Sequence, residues 1–253
     1  MLADPAGIAG FVLTFEGHAV NSSALDSFLD KWRARWPEWS VAEPFVAPAQ
    51  RVRAVAWFAL LQEFDDMLNA SGDTLPADAK LAWWGEELRS WAGQRSRHPL
   101  GRVLEPVAAP WALLADALPG LPEARAAAVD AAAAELALEG YAKAVAAVEA
   151  VVFEDRRHDA AAHAVLLQTL AQRLQDSGIA GVPRALLEEQ GGDPGQRWAR
   201  QLLAGWGVRV AGPRPRRIWA VLARARLAAL ASGTPIEATP VRTLLRVWWA
   251  ARG

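Results

Sequence analysis

The sequence predicts an all-α protein. Ala, Leu, Arg and Glu are abundant throughout, and all four are good helix formers. Few stretches alternate polar and apolar residues with the period of a strand, and runs of β-branched residues are scarce. The most informative periodic stretch, 51–69, reads RVRAVAWFALLQEFDDMLN and puts Ala54, Phe58, Leu61 and Leu68 on one helical face at about 100° per residue.

The elements follow in chain order. A first helix is expected after Asn21-Ser22-Ser23, which supply an N-cap, and runs to about Trp36, before Pro37. The second is 51–69, broken by Ser71-Gly72-Asp73. Pro76 and Asp78 suit a first helical turn and start a third, which runs to about Ala92. His98-Pro99 opens a short apolar helix ending near Leu104, and Pro106, Pro110 and Pro119-Gly120-Leu121-Pro122 mark turns. From about 123 to 153 the chain is Ala-rich and helical, interrupted only by Gly140. A charged turn at 154–158 leads into a helix over about 159–176. The stretch 178–195 reads as loop with a short helix around Ala185, and helices over about 196–203, 216–231 and 241–251 complete the chain. No linker, low-complexity tail or internal repeat divides it, so 1–253 reads as one domain.

Bulk properties narrow the function. With 253 residues, 53% hydrophobic and 22% charged, the chain can bury a sizeable core. The formal net charge of −1 lacks the basic excess of a general nucleic-acid binder, so no nucleic-acid partner is expected. The absence of cysteine excludes disulfides, thiolate catalysis and Cys-based metal sites. No basic region precedes the apolar stretch 7–15, and no apolar run approaches the roughly 18 residues that span a bilayer. A cytoplasmic protein is expected, with peripheral membrane contact compatible. Thirteen tryptophans against one tyrosine fit core packing or a roomy apolar pocket, and packing is the commoner use.

The apolar stripe of 51–69 contains a carboxylate, Asp65, with Gln62 and Asn69 a turn away on either side and Arg51 along the same edge. A carboxylate in such a stripe is costly unless it is paired or binds a cation, so the helix carries a structural polar patch or a metal and diphosphate site. Other constellations read more simply. Asp155-Arg156-Arg157-His158-Asp159, with His163 one turn on, fits a solvated turn with Asp159 as an N-cap. Asp26 and Asp30 fit the wet side of an amphipathic helix. Gly191-Gly192-Asp193-Pro194-Gly195 lacks the strand and Lys of a phosphate loop, and no serine sits in a nucleophile elbow. Arg209, Arg214, Arg216, Arg217, Arg224 and Arg226 form a local basic cluster that suits helix-surface charge, an anionic lipid or a diphosphate.

Several landmarks together resemble the squalene/phytoene synthase family, the head-to-head prenyl synthases. Pro48-Ala49-Gln50-Arg51 resembles the start of its first catalytic helix, and Phe64-Asp65-Asp66-Met67-Leu68 its first aspartate-rich motif. Lys80-Leu81-Ala82-Trp83-Trp84-Gly85-Glu86-Glu87-Leu88 is similar to the family's KLxWWxxEL segment, and Arg97-His98-Pro99-Leu100 to the turn that follows. Gly140-Tyr141-Ala142-Lys143-Ala144-Val145-Ala146-Ala147 resembles its Tyr-Cys-x-x-Val-Ala-Gly helix. The likeness covers about 20–190.

This resemblance implies an isoprenoid (terpenoid) synthase-like helical bundle around a central cavity. Two aspartate-rich helices would face each other across its mouth, holding Mg²⁺ on the diphosphate of a prenyl donor, while the apolar cavity shields the allylic cation. It assigns Asp65, Asp66 and Asn69 to the metal, Arg51, Gln62 and Lys80 to the diphosphate, and Phe58, Leu61, Tyr141, Val145 and Glu149 to the pocket. The implied partner is an isoprenoid diphosphate or other lipid, with Mg²⁺ as cofactor in an active member and none in an inactive one. The chain also departs from the family. Asn69 stands where a second acid is usual, Gln62 where an arginine is, and Ala147 where a glycine is. The second aspartate-rich motif is missing from LLQTLAQRLQD, with only Asp176 left near it, and Glu149 lies on a face that is apolar in the family. These departures imply a diverged member: a prenyltransferase with a reduced Mg²⁺ site, or a non-catalytic lipid- or protein-binding accessory or assembly factor.

Overall fold

The computed structural model describes residues 16–155, 161–207, 209–235 and 240–252, and their side chains from residue 24 onward. Every regular element among them is helical, as composition predicted. The longer helices are α1 (Glu16–Arg35), α2 (Arg51–Leu68), α3 (Leu75–Trp91), α4 (Trp111–Ala117), α5 (Ala131–Val152), α6 (Ala161–Ser177), α7 (Pro194–Gly205), α8 (Arg214–Ser232) and α9 (Pro240–Arg252). Single turns at Trp39–Ala42, Gly101–Leu104, Gly120–Glu123 and Arg184–Glu188 join them.

α2 is the central helix. Apart from Asp66, every residue from Ala54 to Leu68 is buried, so it has no wet face. It packs on α1, α3 and α6, while α5 pairs with α6, and α8 lies against α6, α7 and α9. Buried apolar side chains from Leu29 to Ala251 form one continuous cluster. Nine of the thirteen tryptophans are among the largest fully buried side chains, so tryptophan mainly fills the core. Trp32 of α1 and Trp219 of α8 both contact Phe58 of α2, with ring centroids 5.5 and 4.4 Å from it.

The WWxxEL and HP segments form one structural device. Glu87 is fully buried and accepts hydrogen bonds from Trp91 Nε1 (2.9 Å), the backbone N–H groups of Arg97 (2.6 Å) and His98 (2.8 Å), and Arg97 Nε (3.0 Å). Burial raises its pKa, but these donors outweigh it and hold the carboxyl below its ordinary value. The turn is tight: a Cβ on Gly101 would lie 2.3 Å from Ser96 Cβ, so no larger residue fits.

Several boundaries differ from expectation. The described part of the first helix starts at Glu16, so Asn21-Ser22-Ser23 lies inside α1 and is not its cap. The stretch expected to be helical from 123 is interrupted until Asp130, whose carboxylate accepts the Ala133 N–H at 2.8 Å and caps α5. The carbonyls of Ala128 and Val129 accept from Arg184 and Ala185 at 2.9 Å each, a tertiary pairing that overrides alanine's helix preference there. α4 was not expected among the prolines; burial of Trp111, Leu114 and Ala115 stabilises it. α7 is longer than expected because Asp193 caps it through Gln196 N at 2.7 Å. Residues 156–160, which hold most of the charged Asp/His turn, lie outside the described residues.

Candidate functional site

At the C-terminal end of α2, acids from two helices meet around a cation. Arg35, the last residue of α1, donates to Asp66 Oδ1 at 3.0 Å and to Asp176 Oδ2 of α6 at 2.6 Å. Its planar fork thus spans the first aspartate motif and the surviving acid of the second. Gln62 Nε2 donates to the same Asp66 oxygen at 3.0 Å, and Lys31 lies 3.7 Å from the other. Asp65, one residue away, is buried, and its carboxylate has no hydrogen bond or ion pair among the described residues. Burial, with the charges of Asp176 and Asp66 adding to it, pushes its pKa well above the carboxylate range and favours the protonated form. Burial also raises Asp176, against the pull of Arg35.

A second cation cluster adjoins the first. Glu63, almost fully buried, accepts from Lys31 at 3.2 Å and from Lys80 of α3 at 2.5 Å. Burial would raise Glu63, but Lys80 and then Lys31 outweigh it, leaving the carboxyl below its usual value. His98 packs between Trp84 and Phe28, with centroids 4.5 and 4.6 Å away. Burial lowers its pKa to about 4, partly opposed by Glu63 and Glu87. Arg226 of α8 closes the edge of the site on Glu38 (2.6 and 2.8 Å) and the Arg35 carbonyl (2.8 Å).

The interior between α2, α5, α6 and α8 holds a buried ion pair. Glu149 of α5 is fully buried and bonds Arg216 of α8, whose Nε lies 2.9 and 3.0 Å from the two carboxylate oxygens and whose Nη2 also donates to Oε1. Trp57 Nε1 donates to Glu149 Oε1 at 2.7 Å, and Arg216 Nη1 to Gln168 Oε1 of α6 at 2.9 Å. The guanidinium carbon sits 4.8 Å from the Trp219 ring centre and 5.6 Å from that of Phe58. Phe58, Val145 and Glu149 have no accessible surface, and Leu61 and Tyr141 have 5% or less. The side chains assigned to the pocket therefore pack against neighbours.

The remaining expected site residues fall as follows. Arg51 lies at the opposite end of α2, fourteen residues or roughly 21 Å from Asp65, and donates to the carbonyls of Val46 (3.1 Å) and Pro44 (3.2 Å). Asn69 Oδ1 accepts from Ser177 Oγ at 2.9 Å and Arg173 Nη1 at 3.4 Å. Lys80 and Gln62 join the acids at the mouth, while Glu149 engages Arg216 rather than Asp65. The sequence reading missed Arg35, Lys31, Glu63, Gln168 and Arg173, and treated Arg216 as surface charge.

The donor set fits a hard divalent cation poorly. Asp66 and Asp176 already satisfy Arg35, the Asn69 oxygen faces Ser177, and Asp65 is poised to keep its proton. Among the described residues, no three acidic or histidine side chains form a group suited to a metal ion.

The squalene/phytoene synthase family model matches residues 37–153. That stretch holds Asp65, Asp66, the WWxxEL and HP segments, Tyr141 and Glu149, but neither Arg35, Asp176 nor Arg216. The arginines that engage Asp66 and Glu149, Arg35 and Arg216, thus come from outside the matched segment. No curated protein matches the chain. Over residues 37–153 the chain is similar to the squalene/phytoene synthase family.

Proposed function

We propose that this chain is a non-catalytic squalene/phytoene synthase-like protein that serves as a lipid- or protein-binding accessory or assembly factor. The observation that carries the reading is the Glu149–Arg216 pair in the interior. A prenyl chain needs apolar room at the centre of the bundle, and here that region is occupied by an ion pair, an amide and indole rings. A buried charge pair also has no place in a chamber meant to shield a carbocation in apolar surroundings. The Arg35 bridge supports the same conclusion, since a fixed guanidinium supplies the positive charge that Mg²⁺ would bring to Asp66 and Asp176.

A second reading, a prenyl diphosphate-binding transferase with a reduced Mg²⁺ site, is favoured by one observation. Asp65, Asp66 and Asp176 do come together from two helices. In that case Arg35 would swing aside when Mg²⁺ and diphosphate arrive.

Isothermal titration with a non-hydrolysable farnesyl diphosphate analogue, with and without Mg²⁺, separates the two. The non-catalytic reading expects no saturable binding in either condition. Tight binding that requires Mg²⁺ would overturn it.

A further inference from the structure

Charge is distributed very unevenly along this chain. The stretch 196–253 holds eleven arginines, no lysine and one acid, Glu237, although the whole chain has a formal charge of −1. Three of those arginines turn inward: Arg216 to Glu149, Arg226 to Glu38, and Arg217 to the carbonyls of Gly212 and Ala250. The others include a set gathered at one surface.

α8 and α9 enclose a groove of about 500 Å³ between them. Its floor is apolar, from residues such as Val221 and Ala225. Its rim carries Arg209, Arg224, Arg246 and Arg252, with Trp249, and among the described residues no acidic side chain lines it. All four rim arginines are exposed, and none forms an ion pair among the described residues.

α9 continues this surface outward. Thr243, Val247 and Ala251 recur every four residues and are its buried positions. The opposite face carries Val241, Leu245 and Trp249, which are 66, 53 and 68% exposed, interspersed with Arg242, Arg246 and Arg252. A helix with large apolar side chains set among cations on its outer face suits the plane of a membrane interface. Exposed apolar groups of this size have no use against a nucleic-acid backbone. Arginine forks match lipid phosphates, and an indole is at home at headgroup depth.

We propose that α9 and the groove beside it are a docking surface for an anionic phospholipid bilayer. Val241, Leu245 and Trp249 enter the acyl boundary, and Arg209, Arg224, Arg246 and Arg252 hold lipid phosphates. Apolar insertion and charge act together, which is what reversible attachment to a bilayer requires. None of these residues belongs to the Arg35 cluster or the Glu149–Arg216 pair, so the proposal stands apart from the question of diphosphate binding.

Co-sedimentation of the full chain with vesicles tests it. Vesicles of phosphatidylcholine with about one-third phosphatidylglycerol should carry the protein down, and pure phosphatidylcholine should not. Each arginine near such a surface is worth roughly five-fold in affinity, so Arg224→Ala with Arg246→Ala should weaken binding about 25-fold. Lysine at the same two positions should largely restore it, and Trp249→Ala should weaken it several-fold with the helical circular-dichroism signal unchanged. Raising salt on the unaltered chain reads the same electrostatic contribution if a variant fails to fold. Equal sedimentation with neutral vesicles, none with anionic ones, or stronger capture by duplex DNA than by anionic vesicles at the same salt would each overturn the proposal.

Discussion

Replacing Glu149 by glutamine keeps its shape and removes its charge. In the native chain this carboxylate accepts from Trp57 at 2.7 Å and from Arg216 Nε at 2.9 and 3.0 Å, and Arg216 is 1% exposed. The variant leaves a guanidinium at the centre of the bundle without a counter-charge, with only neutral amide oxygens and two aromatic faces for company. Removing one partner of a buried pair costs about 3–5 kcal/mol, because the remaining charge stays desolvated. For a chain of this size each kcal/mol is worth roughly 2–4 °C, so the melting temperature should fall by about 10 °C. Replacing both partners with apolar residues, Glu149→Leu with Arg216→Met, removes the stranded charge and should recover most of that loss. Urea unfolding followed by circular dichroism measures the native chain, Glu149→Gln, the double variant and its two single changes, Glu149→Leu and Arg216→Met. A Glu149→Gln variant within about 1 kcal/mol of the native chain would refute the reasoning. So would a double variant as unstable as the two single changes added together.

Two further outcomes follow from the mouth of the bundle. Arg35→Ala breaks part-exposed ion pairs and should cost only about 1 kcal/mol, but it frees Asp66 and Asp176 together. Excess Mg²⁺ should then raise the variant's melting temperature by a few degrees and leave the native chain unmoved; no Mg²⁺ effect on the variant would show that the guanidinium does not stand in for a cation. His98 has a folded-state pKa of about 4 against an ordinary 6.5, so between those values the unfolded chain binds a proton that the folded chain does not. Its contribution to stability is present above about pH 6.5 and is lost as pH falls toward 4, at about 1–2 kcal/mol after allowance for its partial exposure. His98→Gln should flatten that acid limb relative to the native chain, and identical losses in both proteins between pH 7 and 4.5 would exclude His98 as its source.

Much of this was legible because helices and motifs are local. The 3.6-residue period of 51–69, the prolines ahead of helices and the WWxxEL and HP segments all announce themselves within one or two turns of chain. Two anomalies were also visible: Asp65 and Glu149 each sit where an apolar side chain belongs. What they signified was not visible. Glu149 is answered by an arginine sixty-seven residues later, and Arg216 is itself an anomaly, sharing a stripe with Trp219, Ala220, Ala223 and Leu227. An acid on one apolar face and a cation on another were the signal that could have paired them. Counting Arg216 with its arginine-rich neighbours as surface charge hid it.

The mouth of the site shows the same division. Local pattern brings out Asp65 and Asp66 and notes Asp176 as the remnant of a second motif. It says nothing about Arg35, which belongs to another helix and reaches both sides only once α1 lies across the ends of α2 and α6. The sequence by itself determined the helical class, most of the helices and the likeness of residues 37–153 to a known family, because backbone propensity and short motifs are read within a few turns of chain. Only the tertiary structure decided which charges meet. A carboxylate's partner is selected by distance in space, and the partners here lie 31, 67 and 141 residues away along the chain.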